Sequence, residues 1–260
     1  MGEPLPDVAT IAESIWHDRG RGRYPEAWAG RLTLEVAYAV QLALLDRYVA
    51  GGERQAGWKV GLTARAIQEQ VGIHEPVFGF LLESGALPSG STLPRERLVS
   101  PAVENELCLT IGRTLAGPGV TLDMARAAVS AVAPALEVVE RRGDAAADVP
   151  LSIADNCQQR AFVVGPAAGP SPATADPGAA TVEIYVDGRF SERASGREVM
   201  GTPLASVAWL ADRLARYGRR LEAGMRVMSG SFTRQYPIER AGTEIEARFA
   251  PYGSVRARFA

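Results

Sequence analysis

The chain has 260 residues, with 28 basic and 30 acidic side chains and a formal charge of -2. That length suffices for one large domain with a substantial core, or a compact domain with a helical extension, and no oligomer is needed on size grounds. The near-neutral, well-mixed charge excludes an electrostatic footprint for nucleic acid.

No apolar stretch approaches the roughly 18 to 20 residues that a bilayer span needs, and the start MGEPLPDVAT has neither a basic region nor an apolar h-region. Pro6 stands where a myristoylation signal needs Ser or Thr, so no membrane attachment and a cytoplasmic location are expected. Cys108 and Cys157 are too few and too far apart for a disulfide framework or a CxxC site, and read as two buried free thiols. The 27 glycines and 17 prolines exceed ordinary usage and point to many turns, hence many strands.

From Leu5 to Val49 the pattern is helical: Ile11, Ile15 and Trp16 keep a 3.6-residue period, and Leu32, Val36, Val40, Leu44 and Tyr48 recur every four residues until Gly51 and Gly52 end it. The expected division is a helical segment over residues 1–55 and a β-rich domain over 56–260. Trp58 to Gly61 reads as an apolar strand interrupted by Lys59, whose ammonium needs a partner or a depressed pKa; a snorkelling edge lysine is the alternative. Thr63 is a candidate cap for a helix through Ile67 and Val71, and residues 74–92 have the aromatic, Gly and Pro content of a pocket-shaping loop or lid.

Within residues 98–112, ENELCLTIG alternates, with Glu104, Glu106, Cys108 and Thr110 on one face and Leu107, Leu109 and Ile111 on the other, as in a half-buried strand. A helix capped by Thr121 or Asp123 is expected to Ala133, then a strand over Ala135 to Val139 with Glu137 in its middle. Residues 165–180 read as an exposed Pro-, Ala- and Gly-rich connector. Asp187-Gly188 marks a hairpin turn, and Thr202-Pro203 starts a helix burying Leu204, Val207, Leu210 and Leu214 and stopping near Gly218. Strands over 225–231, 244–250 and 253–259 finish the chain. Strands without regular strand-helix alternation favour a mixed or antiparallel β structure over a doubly wound sheet.

Glu104 and Glu106, two apart on a strand, lie on one face roughly 6.5 Å apart. Glu137 interrupts an apolar strand, where solvation explains an acid poorly. Three oxygen donors favour a hard ion, Mg²⁺ or Mn²⁺. The competing reading puts Glu104 and Glu106 on a solvated sheet face and pairs Glu137 with Arg141 or Arg142.

From Gly57 onward the chain resembles the hydratase and decarboxylase branch of the fumarylacetoacetate hydrolase superfamily, with its 2-keto-4-pentenoate hydratases, 2-oxohept-4-ene-1,7-dioate hydratases and 4-oxalocrotonate decarboxylases. The resemblance rests on the ordered segments GWKVGLT (57–63), EPVFGFL (75–81), ENE (104–106), PALEVVERR (134–142), IADN (153–156), GTPLASVAWLADRL (201–214), SGSFT (229–233) and GSVRARF (253–259).

The resemblance implies an α+β fold, a mixed β roll or sandwich with packed helices, and a divalent metal held by Glu104, Glu106 and Glu137. It implies a small 2-oxo or 2-hydroxy acid as substrate, a homo-oligomer, and a paired decarboxylase or hydratase as a possible protein partner. It places Lys59 in the active site as a substrate contact or proton-transfer group. Asp155 (catalytic) and Asn156 (substrate-binding) match a motif at the pocket wall, against the alternative of a turn with an Asx cap.

Ser229 and Ser231 flank Gly230, where hydroxyls and backbone amides could bind a substrate carboxylate or simply complete a tight turn. His74 beside Glu75 resembles the water-activating pair of the superfamily's hydrolases, though an exposed loop histidine is the favoured reading; Arg234 and Tyr236 could face the substrate's distal end.

One departure bears on the reaction. Many hydratases of the branch carry Asp directly before the FG pair, whereas Val77 stands here, an apolar substrate contact as in the decarboxylases; the SGSFTR run is more like the heptenedioate hydratases. The leading expectation is a lyase hydrating a 2-hydroxy-2,4-dienoate, or its 2-oxo-4-enoate tautomer, to a 4-hydroxy-2-oxo acid. Decarboxylation of a 2-oxo-hexenedioate, carbon-carbon hydrolysis with His74 as base, a biosynthetic enzyme and a non-catalytic partner subunit remain as alternatives.

Overall fold

The computed structural model describes residues 5–172 and 174–260; residues 1–4 of the N-terminal start and residue 173 of the connector lie outside the described residues. The chain opens with α1 (Val8–Gly20) and α2 (Leu34–Ala50), capped by Asp7, which accepts from the Thr10 amide, and Thr33, which accepts from that of Val36. The sequence pattern runs as one helical stretch, but the chain breaks between the helices, where Pro25 intervenes and Gly22 and Gly30 take left-handed φ values of 65° and 67°. The buried face of α2 carries Gln41, whose Nε2 donates to the carbonyls of Phe78 (2.9 Å) and Ile153 (2.8 Å), tying the helical segment to the β body.

The remaining elements are β1 (Gln55–Gly61), α3 (Arg65–Gln70), β2 (Val77–Leu82), β3 (Ala86–Pro88), β4 (Thr92–Leu93), β5 (Pro101–Ile111), α4 (Leu122–Ala128), β6 (Val129–Glu140), α5 (Val149–Ala154) and β7 (Gln159–Val164). They continue with β8 (Thr181–Val186), β9 (Arg189–Ser195), α6 (Pro203–Ala215), β10 (Arg226–Met228), β11 (Tyr236–Pro237), β12 (Thr243–Ala250) and β13 (Gly253–Phe259). One sheet runs β2-β1-β10-β5-β6-β7-β3, with β11 also on β5; the other runs β4-β13-β12-β8-β9.

Most pairs are antiparallel, whereas β1 with β10, β3 with β7 and β13 with β4 are parallel, so both sheets are mixed. β12 and β13 lie against β6, and Phe249, Val255 and Phe259 fill the space between the sheets. This is the expected α+β arrangement of mixed sheets with helices packed around them. No helix among the described residues is long and apolar enough to cross a membrane.

The strong local signals hold. Asp187 and Gly188 turn with φ of 51° and 75°, both positive as a two-residue hairpin of this kind requires, and Val186 pairs with Arg189. Thr202 caps α6, Pro203 is its first residue, and Leu204, Val207, Leu210 and Leu214 are buried.

Other expectations are corrected. Thr63 does not cap α3, which starts after Ala64 without a side-chain cap. Residues 74–92 form no lid: they carry β2, β3 and β4, because the apolar VFGFLL run pairs with β1. The helix after Thr121 ends at Ala128, where the β-branched Val129 opens β6. β5 is buried on both faces rather than one, being central and covered. The connector is partly packed, with Pro172, Pro177 and Gly178 buried and the Arg126 guanidinium donating to the Pro172 carbonyl at 2.6 Å.

Candidate active site

β5 and β6 pair so that Glu104 stands opposite Glu137 and Glu106 opposite Ala135. The two-residue repeat puts Glu104 and Glu106 on the same face of β5, and direct opposition brings Cβ atoms within about 5.5 Å across strands. Carboxylate oxygens from all three lie within 4.8 Å of one another.

Glu106 and Glu137 are fully buried, Glu104 half-buried. Glu106 Oε2 accepts from the Gly230 amide at 2.8 Å, and Glu104 Oε1 accepts from Gln235 Nε2 at 2.7 Å. Glu106 Oε1 and both oxygens of Glu137 have no hydrogen-bond donor among the described residues. Burying carboxylates with so few donors costs several kcal/mol.

Among the described residues the one cation at the cluster is Lys59, buried in β1, whose Nζ lies 3.4 Å from Glu137 Oε1. The alternative pairing of Glu137 with Arg141 or Arg142 does not form: Arg142 is held by Glu140 (2.9 Å) and Asp155 (2.6 Å). Burial, with Glu137 and Glu104 as like charges, holds the Glu106 carboxyl well above its ordinary range. Burial and Glu104 push Glu137 up to about 7 even though Lys59 opposes the shift. For Lys59, burial works against the charge, but Glu137, Glu104 and Glu106 around it keep the ammonium protonated, above its ordinary pKa.

Three carboxylates and one ammonium leave two net negative charges when all are ionised. Together with the orphaned oxygens, this all-oxygen donor set fits a hard divalent cation such as Mg²⁺ or Mn²⁺.

Two glycines make the cluster possible. Lys59 pairs with Gly79 across β1 and β2, and a Cβ at Gly79 would stand 2.8 Å from Asn156 Oδ1 and 3.3 Å from the Lys59 stem. Gly230 has φ of 105°, and a Cβ there would fall 2.5 Å from Thr63, so only glycine lets its amide reach Glu106.

Lys59 and Glu104 open into a cleft of about 640 Å³, with the fully buried Glu106 and Glu137 just behind them. Val77, Val139, Val149 and Ile153 give it apolar walls; Arg141 and Asp144 stand among its polar lining. Cys157, expected to be buried, is half-buried and lines the cleft, where burial pushes its thiol up to about 12.

Several residues singled out in the sequence stand elsewhere. Asp155 is fully buried with both oxygens taken, one by Arg19 of α1 at 3.0 Å and the other by Arg142 at 2.6 Å, so it braces the wall rather than facing a substrate. Asn156 spends its amide on the backbone of Phe80, accepting from its N–H at 2.7 Å and donating to its carbonyl at 3.0 Å.

Ser229 is buried with its hydroxyl accepting from the Leu107 amide at 3.3 Å, and Ser231 donates to the Asn105 carbonyl at 3.4 Å; neither lines the cleft. The carboxylate that the SGS turn does hold is Glu106 of the chain itself. His74 is exposed and outside the cleft, while Glu75 is engaged by Arg213, so no water-activating pair forms. Arg234 and Tyr236 both engage Glu192 away from the cleft.

Gln235 and Arg141 were missed. Gln235 is brought to Glu104 by the pairing of Tyr236 with Val103, which no local pattern signals. Arg141 follows Glu137 and Val139 in the two-residue repeat, a signal that was present in the sequence.

Residues 51–260 match the family described as Fumarylacetoacetate (FAA) hydrolase C-terminal. A 2-keto-4-pentenoate hydratase from Burkholderia vietnamiensis is 37% identical over 229 residues, covering 86% of this chain and 85% of that protein. A 2-hydroxyhexa-2,4-dienoate hydratase from Comamonas testosteroni is 34% identical over 209 residues, 79% of each chain. The solved structure of 4-oxalocrotonate decarboxylase from Pseudomonas putida, complexed with magnesium and adipate, superposes with a TM-score of 0.91 at 31% identity, covering 100% of both chains. The chain therefore belongs to the fumarylacetoacetate hydrolase family, in the branch of its hydratases and decarboxylases.

Proposed function

We propose that this chain is a lyase that hydrates a 2-hydroxy-2,4-dienoate to a 4-hydroxy-2-oxo acid, with Mg²⁺ or Mn²⁺ held by Glu104, Glu106 and Glu137. The observation that carries the reading is the set of orphaned, buried carboxylate oxygens beside one buried lysine at the floor of an apolar cleft. Relatives at 34–37% identity that bear hydratase names support it.

A divalent cation in this cluster supplies a Lewis acid for the carboxylate and 2-oxo oxygens of the substrate. In the net reaction the enol proton leaves the 2-hydroxyl, carbon 5 gains a proton, and water adds hydroxide at carbon 4 and a proton at carbon 3. Lys59 is the cleft's one ammonium, and its Nζ supplies positive charge close to where the substrate oxygen becomes negative and a proton that can be lent and recovered. Glu137 Oε1, 3.4 Å away, holds that ammonium charged and in place. Val77, Val139 and Ile153 exclude bulk water from the diene and keep it extended.

Decarboxylation of a 2-oxo-hexenedioate is the second reading, favoured by one observation. Val77 lines the cleft where many hydratases carry an acid, so no carboxyl stands at that position to guide water. Incubating the protein with Mg²⁺ and each substrate, while following loss of ultraviolet absorbance and release of carbon dioxide, separates the two. Absorbance loss on a dienoate without carbon dioxide is expected; carbon dioxide from the hexenedioate selects the second reading, and neither signal overturns both.

A further inference from the structure

Glu137, Val139 and Arg141 follow the two-residue repeat along and just beyond β6, so their side chains share one face, and Val139 and Arg141 both line the cleft. Opposite them on β5 the register continues from Glu104 through Ala102, paired with Val139, to Ser100, whose carbonyl accepts from the Arg141 amide at 3.3 Å. The cleft is thus graded along one strand direction, from carboxylates and an ammonium, past apolar side chains, to a guanidinium.

Arg141 is exposed and free to take a ligand. Its Nε donates to the Ser100 carbonyl at 3.3 Å, and among the described residues the guanidinium meets no carboxylate. The adjacent Arg142 differs in being saturated by Glu140 and Asp155. Asp144, the acid on the same loop, turns one oxygen onto the amides of Ala146 (3.0 Å) and Ala147 (3.2 Å). From Glu137 to Arg141 the strand rises roughly 13 Å, before either side chain reaches inward. An extended chain of six or seven carbons spans roughly 6 to 8 Å between its end carbons, shorter than that rise and so leaving room for both side chains to reach inward.

We propose that the substrate is a diacid, a six- or seven-carbon 2-oxo-alkenedioate, and that Arg141 binds the carboxylate remote from the 2-oxo end. The inference rests on the metal-dependent lyase reading of the cleft floor, and it selects among substrates that this reading leaves open. Guanidinium and carboxylate match as a two-pronged pair, and the apolar middle of the cleft suits the chain between the two polar ends.

The test compares wild type with Arg141→Gln and Arg141→Lys, all with Mg²⁺, on 2-oxohept-4-ene-1,7-dioate and on 2-hydroxyhexa-2,4-dienoate. Wild type is expected to favour the diacid in kcat/KM by about tenfold or more, and Arg141→Gln to abolish that preference through KM, with Arg141→Lys intermediate. Equal kcat/KM values in wild type, or a preference that survives Arg141→Gln, overturn the proposal. Calorimetric binding of adipate against hexanoate supplies the second measurement. If neither substrate is turned over, the hydratase reading fails on its own; tighter adipate binding that Arg141→Gln removes then upholds the diacid site, and equal binding of the two acids overturns it.

Discussion

Glu104 and Glu137 face each other across β5 and β6 at the same register, yet only Glu104 reaches the cleft, while Glu137 is fully buried and meets the Lys59 ammonium. The pair therefore joins the solvent-facing and the buried side of the cluster, with Glu106 as the third donor. Glu106→Gln removes one buried charge and adds an amide N–H able to donate to Glu137. Calorimetric titration with Mg²⁺ is expected to show affinity reduced by at least the roughly 10- to 100-fold that supporting residues of metal sites cost. Urea unfolding at pH 8 without metal is expected to show the variant more stable than wild type, by about 1 kcal/mol or more. A loss of stability would mean that Glu106 serves the fold rather than an ion.

The raised carboxyls set a pH dependence. Glu137 is shifted from its ordinary 4.5 up to about 7, and Glu106 moves the same way. Between those values the folded protein keeps a proton that the unfolded chain releases. This contribution to stability is complete below 4.5 and is lost as pH rises through about 7. Metal-free protein is accordingly expected to lose a few kcal/mol of unfolding free energy over that interval, since each tenfold difference in proton affinity is worth roughly 1.4 kcal/mol. Mg²⁺ displaces the same protons, so its affinity is expected to rise with pH through about 7 as Glu137 deprotonates, and to go on rising as Glu106 does. Titrations in two buffers of different ionisation enthalpy count the protons released; release unchanged between pH 6 and pH 8 would contradict this account.

Asp155 makes a different prediction, since Arg19 and Arg142 take both of its oxygens in a buried triad that fastens α1 to the cleft wall. Asp155→Ala leaves two guanidinium groups without their partner. A destabilisation of about 3 to 5 kcal/mol is expected in chemical denaturation, the cost of breaking a buried ion pair from one side. Turnover per folded molecule is expected to stay close to that of wild type, with its pH profile unmoved. A normal unfolding midpoint combined with lost turnover would return Asp155 to a catalytic role.

These residues also mark where the sequence was legible. Glu104 and Glu106 could be placed on one face because a strand repeats every two residues, and Lys59 and Glu137 stood out as charges inside apolar strands, but their meeting as one cluster was implied by the family resemblance and depends on the pairing of β5 with β6. The saturation of Asp155 could not be seen, because Arg19 lies 136 residues away and no pattern signals its approach. Asn156, set at the pocket wall by the family resemblance, closes its amide on the backbone of Phe80, 76 residues earlier, a contact that no local pattern signals. The N-terminal helices were legible from their period, and the break between them has local signals of its own in Pro25, Gly22 and Gly30. The pocket-shaping loop or lid expected over residues 74–92 is largely strand, because the apolar VFGFLL run pairs with β1, although Val77 of that run does line the cleft.

Lys59 separates binding from chemistry. Lys59→Met keeps an unbranched stem beside Gly79 and removes the charge that lies 3.4 Å from Glu137. At a pH high enough to ionise Glu137 without its ammonium partner, the cation is no longer repelled, and Mg²⁺ is expected to bind about tenfold more tightly, the equivalent of roughly 1.4 kcal/mol of relieved repulsion. At pH 6 the gain is expected to shrink or reverse, because Glu137 without Lys59 holds its proton to higher pH and makes the ion compete for it. Turnover with saturating Mg²⁺ is expected to fall by about 10²- to 10⁴-fold, the usual loss when a positioned proton-transfer group is removed. Tighter metal binding with slower turnover is a combination that a merely structural lysine does not produce. Unchanged turnover in Lys59→Met would move the proton-transfer role to another group, and Cys157, a cleft thiol within the field of both Lys59 and Glu137, is the next candidate.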